Sequence, residues 1–493
     1  MEEQIISLPY NFDPWPHQEE WFLAFYDHGI RRFFEVVHRR GGKDKAFLNL
    51  MIDQMTQRVG NYVHVFPQRK RAKLIVWEGI DSDGKRYIDH FPPDLIYRGP
   101  LEQEMMISLR HPDDWNKEGS IYRCMGSDRD VYLLVGANPV AVIWSEYPEI
   151  NPRMRTLVLP ILRRNNGWEA IVCTPRGRNH AYRLFHRVRN NLLWHTSFLT
   201  IKDTVDHEGE SLVTEQDVQE DIEAGLSVEE AAQEYYLEWD TPMPGAYYGE
   251  EFRRIDQESR IRHVPYDPSL PVYTSWDIGI NDTNAIWFFQ VTATEVRFID
   301  YLEDSSVALV YEGDDDRKGW IKRVREKPYN YDHSRVTPPL TTAKHEVHYG
   351  PHDLENRIYA TGKTVYGIAL QHGLRFTVVP SGTAKTFSDG IAATRRLLAR
   401  AVFDETNCQD GIDAARSYRR EFNEKSQRFE DHEHKDWSNN GADSLRHAAI
   451  GLMPPREPLK DKPKDGSFEH MRKVAIAAKK GKPIKRATFK VYS

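Results

Sequence analysis

Cysteine is scarce in this chain: three thiols (Cys124, Cys173, Cys408) in 493 residues, none at metal-ligand spacing. That excludes a disulfide framework and a thiolate zinc site, and it suits a reducing, cytosolic compartment. Long apolar runs are missing too. No stretch approaches the roughly 20 residues of a membrane helix, and the start, Met1-Glu2-Glu3-Gln4, is acidic without a signal-peptide core. Nor is there a general excess of positive charge. With 67 Lys+Arg against 74 Asp+Glu the formal net charge is −7, so any DNA contact must be local, made by patches of Lys and Arg.

What is present is a globular composition, 40% hydrophobic and 29% charged, in a chain too long for one ordinary core. Residues 1–200 alternate helical segments with apolar strands at Tyr62–Phe66, Val140–Trp144 and Glu169–Cys173, which predicts a mostly parallel α/β sheet. From Asp203 to Asp240 acidic residues dominate, and Ser227-Val228-Glu229-Glu230 is a capping box, so 201–265 read as an acidic helical lid or linker. Residues 266–453 open differently, with a strand at Val272–Asp277 and an antiparallel pair at Asn284–Val291 and Val296–Tyr301, predicting a second, mixed sheet. The last segment, 454–493, carries twelve Lys/Arg against four Asp/Glu. It reads as a flexible basic tail, either a solvated terminus or an arm for nucleic acid or an acidic partner.

The most informative stretch is Val36-Val37-His38-Arg39-Arg40-Gly41-Gly42-Lys43-Asp44. An apolar strand runs into paired glycines and a lysine, and a helical pattern follows from Lys45. Glycines let backbone N–H groups approach a phosphate, the helix N-terminus favours negative charge, and Lys43 neutralises the β/γ-phosphates. The stretch departs from GxxxxGK[ST] at two points: the first glycine is missing, and Asp44 stands where Ser or Thr would meet Mg²⁺. A carboxylate can also ligate Mg²⁺. A second strand, Val140–Trp144, ends in Ser145-Glu146; Ser145 stands where an aspartate commonly holds Mg²⁺, and Glu146 suits activation of a water at the γ-phosphate. Taken alone, Glu146 would better suit the surface after a core strand. Thr174-Pro175-Arg176-Gly177 closes a neighbouring strand, where open α/β sheets bind ligands. Gln18 is a candidate for an adenine edge, and Arg39 or Arg40 for stabilising transition-state charge.

A second constellation is acidic. Asp277 sits within an otherwise apolar strand, where a charge is costly unless paired or metal-bound. Asp353 closes the strand-like stretch Glu346–Asp353, and Asp443 lies on a helix, Gly441–Ile450. Singly, each suits a cap or an ion pair. Together they suit two Mg²⁺ or Mn²⁺ ions about 3.5–4 Å apart, which activate water and stabilise the leaving oxygen in phosphodiester cleavage. Asp282 and Asp436 are additional acids.

These motifs, from Trp15 to Leu452, resemble those of the large terminase subunits of tailed bacteriophages. The likeness rests on Arg39–Asp44 as a deviant Walker A, Ser145-Glu146 as Walker B plus catalytic glutamate, and Thr174–Gly177 as the coupling motif. It continues through Gln233-Glu234-Tyr235, Asp277-Ile278-Gly279 with Asp282, Pro351-His352-Asp353, and Asp436-Trp437-Ser438 to Asp443-Ser444-Leu445-Arg446. The resemblance implies an N-terminal RecA-like P-loop ATPase domain and a C-terminal RNase H-like nuclease domain. It implies ATP and Mg²⁺ in the first, with Gln18, Arg39, Arg40, Gly41, Gly42, Lys43, Asp44 and Ser145 around the nucleotide and Glu146 catalytic. In the second it implies two Mg²⁺ or Mn²⁺ on Asp277, Asp353 and Asp443. It further implies double-stranded viral DNA, a portal protein, a small terminase subunit, a homo-oligomeric ring and action in the host cytoplasm, transiently at the procapsid. Asp44 supplying the charge that Ser145 lacks would reconcile the two departures. A helicase- or transposase-like enzyme with the same two folds, or a scaffold with decayed sites, are the rival readings.

Overall fold

The computed structural model describes residues 6–453 apart from 82–83, 128–130, 279–282, 306, 312–317, 334–346, 358–361, 381–383, 424–425 and 427. Asp282, the beginning of the Glu346–Asp353 stretch and the basic tail 454–493 therefore lie outside the described residues.

Eight strands form the front sheet: β1 (Arg32–Val37), β2 (Asn61–Phe66), β3 (Ile96–Leu101), β4 (Met106–His111), β5 (Asp114–Gly126), β6 (Ala141–Ser145), β7 (Trp168–Cys173) and β8 (His195–Leu199). Their order is β3-β4-β5-β2-β6-β7-β1-β8. From β5 to β8 every pairing is parallel, while β3, β4 and β5 pair antiparallel as an added edge. Parallel strands buried on both faces read as unbroken apolar runs. Accordingly Phe33 and Val37 of β1 pack into one core and Phe34 and Val36 into another on the opposite face. The strand entering the glycine loop (β1) is separated from the Ser145-Glu146 strand (β6) by β7, as expected of a RecA-like sheet. The β3–β5 edge was not anticipated from the sequence.

Seven strands form the rear sheet: β9 (Ile261–Arg262), β10 (Tyr273–Asp277), β11 (Asn284–Val291), β12 (Val296–Asp304), β13 (His348–Gly350), β14 (Phe376–Val378) and β15 (Ala401–Asp404), in the order β14-β13-β10-β11-β12-β15-β9. The antiparallel meander β10-β11-β12 carries parallel β13 and β14 on its β10 side, the arrangement of an RNase H-like domain. β9, within the stretch read as linker, pairs with β15. Trp287 and Phe289 face a core that includes Ala442, Leu445 and Ala448 of the helix Asn439–Gly451; Ile286 and Phe288 face the other. A last antiparallel pair, β16 (Arg420–Asn423) and β17 (Arg428–Glu433), stands apart from both sheets. No helix among the described residues is long and apolar enough to cross a membrane.

Candidate active sites

The carboxyl ends of β1, β6 and β7 lie side by side and gather the front-half candidates. The loop after β1 turns through Arg40 at φ +73° and Gly42 at φ +70°, and the helix Lys43–Gln57 begins at once. The glycines are sterically required. A Cβ at Gly41 would lie 2.4 Å from Val37 Cγ1, and one at Gly42 would lie 2.4 Å from Gln18 Nε2. Gln18 is buried beneath this loop. Its Oε1 accepts from the Trp15 N–H at 3.1 Å and its Nε2 donates to Gly41 O at 3.3 Å. The Arg39 and Arg40 side chains are exposed, and the Arg39 N–H donates to Glu234 O at 3.1 Å, tying the loop to the acidic segment.

Lys43 is buried, with Nζ 3.2 Å from Thr174 Oγ1 at the end of β7 and 3.6 Å from Glu146 Oε1 at the end of β6. Glu146 has φ +55°, a conformation rarely held by a non-glycine residue and one that costs on the order of 1–3 kcal/mol. Its Oε2 is buried and accepts no hydrogen bond from the described residues. A strained glutamate with one oxygen on the lysine and one without a donor suits a water to be deprotonated.

Asp44 and Ser145 meet directly, the serine Oγ donating to Asp44 Oδ1. Behind them, His64 Nε2 lies 2.6 Å from Ser145 Oγ, and His64 Nδ1 lies 3.0 Å from the Tyr122 hydroxyl. Burial alone would raise the Asp44 carboxyl, but His64, Lys43 and Ser145 outweigh it and hold it below the ordinary range. Asp44 thus stays ionised beside the serine, and this hard-oxygen pair fits Mg²⁺. His64 and Tyr122 escaped the sequence reading because nothing local links strands β2 and β5 to the loop.

A further cluster was also missed. Tyr147–Glu149 form a 3₁₀ turn immediately after Glu146. Glu149, its side chain 9% exposed, accepts from Arg71 at 3.1 Å and from Arg419 of the rear half at 3.2 Å, with Arg176 of the coupling motif 3.9 Å away. Burial opposes the charge, but these three guanidiniums win and lower the Glu149 carboxyl to about 2. Arg176 also reaches Glu234 at 2.6 Å, and the Trp437 indole donates to Glu149 O at 3.2 Å. Asp436 pairs with Arg419 at 2.9 Å and accepts from the Ser438 N–H, so it serves this junction.

In the rear sheet Asp277 is the last residue of β10, and β13 runs parallel beside it. Asp353 falls beyond β13, in the 3₁₀ turn His352–Glu355, because Pro351 ends the strand that the sequence suggested would reach it. Its carboxylate is 59% exposed, lies 3.2 Å from His352 Nε2 and accepts from Asn356 at 3.0 Å. The helix bearing Asp443 is fastened to β10, Ser444 Oγ donating to Ser275 O at 2.8 Å and His447 Nδ1 to Trp276 O at 2.9 Å. Asp443 Oδ1 nevertheless accepts from Arg446 at 2.8 Å and from the Tyr418 hydroxyl at 3.1 Å. The topology brings the three aspartates to one end of one sheet, yet no three His, Cys, Asp or Glu side chains among the described residues form a metal-binding group. As placed, the acids do not fit a metal. Glu303, not singled out from the sequence, shares a row with Asp277 across Ala285, and burial raises its carboxyl to about 7.

No protein-family model and no curated protein sequence matches the chain. Among solved structures, the large terminase of a thermophilic bacteriophage is 12% identical with a TM-score of 0.37, covering 89% of this chain and 98% of that one. The Thermus phage P74-26 large terminase ATPase domain is 18% identical with a TM-score of 0.36, covering 48% of this chain and all of that one. The large terminase nuclease of thermophilic phage G20c, solved with bound magnesium, is 10% identical with a TM-score of 0.28, covering 42% of this chain and 98% of that one. At this distance the likeness assigns no residue its role. The solved structures to which the chain is similar are large terminases, among them an ATPase domain and a nuclease domain.

Proposed function

We propose that the chain is a DNA-packaging motor: an ATPase that translocates double-stranded DNA into a procapsid and an endonuclease that cuts it. The proposal divides the chain into an ATPase domain (1–200), an acidic lid (201–265), a nuclease domain (266–453) and a basic tail (454–493). The observation that carries it is the convergence of Lys43, Glu146 and Thr174 at three neighbouring strand ends, beside the Asp44–Ser145 pair.

In the front half the loop amides of Gly41 to Lys43 and the start of the following helix cradle the phosphates, and Lys43 neutralises the β/γ charge. Asp44 and Ser145 would hold Mg²⁺, which when bound would supply charge neutralisation at the transferred phosphoryl group. Glu146 orients the attacking water and draws off its proton. Arg39 or Arg40, exposed on the loop, faces the transition-state charge. When Lys43 turns to a phosphate it leaves Glu146, whose turn also holds Glu149, Arg176 and Arg419. That turn is a physical route from hydrolysis to the rear half. Contacts with DNA are to phosphates, since a translocating motor cannot depend on base identity.

In the rear half Asp277, Asp353 and Asp443 are the cutting acids, and they must come together before they act. The reading further implies a homo-oligomeric ring on a portal protein, fed by a small terminase subunit. Double-stranded DNA is expected to stimulate ATP turnover by the full chain, with directional displacement of a blocked triplex on linear duplex. Strand separation in place of duplex tracking would instead identify a helicase.

A further inference from the structure

The misfit at the rear acids has an identifiable cause. The Asp443 carboxylate already holds a cation, the guanidinium of Arg446. Arg446 is 7% exposed, donates to Asp443 Oδ1 at 2.8 Å, and sits over the Phe387 ring at 4.8 Å. It is close enough to Asp277 to feel that charge as well. Burial of a guanidinium is tolerable only with such partners.

The fold makes room for this side chain. Gly390 lies inside the helix Ala384–Leu398, where glycine costs about 1 kcal/mol relative to alanine. A Cβ there would come within 2.8 Å of Arg446 Cδ and 3.0 Å of Cγ. The small residue therefore accommodates the arginine stem. Even so, Arg446 is incompletely satisfied: its Nε is buried without a hydrogen-bond partner among the described residues. The side chain is built in but not saturated.

We propose that Arg446 is a positioning residue of the rear acidic site, a resident cation that holds Asp443 away from Asp277 and Asp353 and competes with an incoming divalent ion. This rests on the reading of those three aspartates as the cutting acids. Were Asp443 to help hold a divalent ion, the Arg446 guanidinium would lose its carboxylate partner and would be free to donate to another anionic group. Tyr418, the second donor to Asp443, adjoins Arg419, the residue that grips Glu149 in the front half.

The test is Mn²⁺ binding to the full chain without nucleotide, in an Asp44→Asn background that silences the front-half ion site, read as free Mn²⁺ by electron paramagnetic resonance. Arg446→Gln removes a unit charge within hydrogen-bonding distance of the ligand. It is expected to tighten Mn²⁺ binding by about tenfold or more. Arg446→Lys, which keeps the charge, should stay within about threefold of the parent. Gly390→Ala, which displaces the arginine without deleting it, should shift affinity in the same direction as Arg446→Gln. Circular dichroism and the thermal midpoint report whether each variant is folded. If Asp277→Asn and Asp443→Asn abolish Mn²⁺ binding while folded Arg446→Gln and Gly390→Ala leave affinity unchanged or weaker, the resident-cation proposal is overturned and the site reading stands. If Mn²⁺ binding ignores Asp277→Asn and Asp443→Asn, both fall.

Discussion

Replacing Glu149 by Gln keeps its shape and removes its charge, and the cost can be worked from the structure. A carboxyl held at about 2 in place of 4.5 favours its ionised form at neutral pH by about 3 kcal/mol. Its three arginines would then face a neutral amide, and breaking a buried pair typically costs about 3–5 kcal/mol. Because the folded value is depressed, the stabilisation is complete above pH 4.5 and fades as the pH falls toward 2. Global unfolding of a chain with two cores is not two-state, so the useful assay is hydrogen exchange of the turn amides, Glu149 N–H to Glu146 O and Ile150 N–H to Tyr147 O, both 3.0 Å. Glu149→Gln should lower their opening free energy by about 3 kcal/mol between pH 5 and 8, with the gap narrowing below pH 4.5. A gap under about 0.5 kcal/mol at pH 7, or one that widens on acidification, would refute the electrostatic account of the junction.

Two further outcomes are expected. Asp44→Ser should raise the Mg²⁺ concentration needed for half-maximal ATP turnover by about tenfold or more, and adding Ser145→Asp should restore much of it; unaltered Mg²⁺ dependence in Asp44→Ser would show that the two positions do not share an ion. Glu303, raised by burial to about 7, binds a proton in the folded chain that the unfolded chain has released above pH 4.5, so its contribution falls as the pH rises through that window. Glu303→Gln should therefore stabilise the rear sheet by up to about 3 kcal/mol at pH 8 and change little at pH 4, as read from pH-resolved hydrogen exchange of the β11 and β12 amides.

The features legible in the sequence were those encoded locally. The loop after β1 announced itself through an apolar run, two glycines and a lysine, because strand, turn and helix N-terminus follow one another within a few residues. The capping box at Ser227 opened the helix Val228–Glu234 as read, with Tyr235 as its cap residue. What escaped was set by pairing between distant segments. Glu149 and Arg419 are 270 residues apart, and only the folded chain makes them partners. His64 looked like any strand histidine until β2 was laid beside β6, bringing it to Ser145. The sequence placed Asp443 on a helix with an apolar face but could not show that its carboxylate turns toward Arg446, one helical turn on, since the same spacing would serve a surface ion pair. The outermost strand of the β3–β5 edge escaped because it is largely exposed and lacks the alternation that marks a half-buried strand.

The central claim is that nucleotide is spent at the Lys43–Glu146 pocket and DNA is cut at the rear aspartates, two separate chemistries in one chain. The direct measurement runs ATP hydrolysis and Mn²⁺-dependent nicking of plasmid DNA side by side on Lys43→Ala, Glu146→Gln and Asp277→Asn. The account predicts that the first two lose ATP turnover by about a hundredfold or more and still nick, while Asp277→Asn hydrolyses ATP and no longer nicks. A folded Asp277→Asn that also failed to hydrolyse ATP would contradict it.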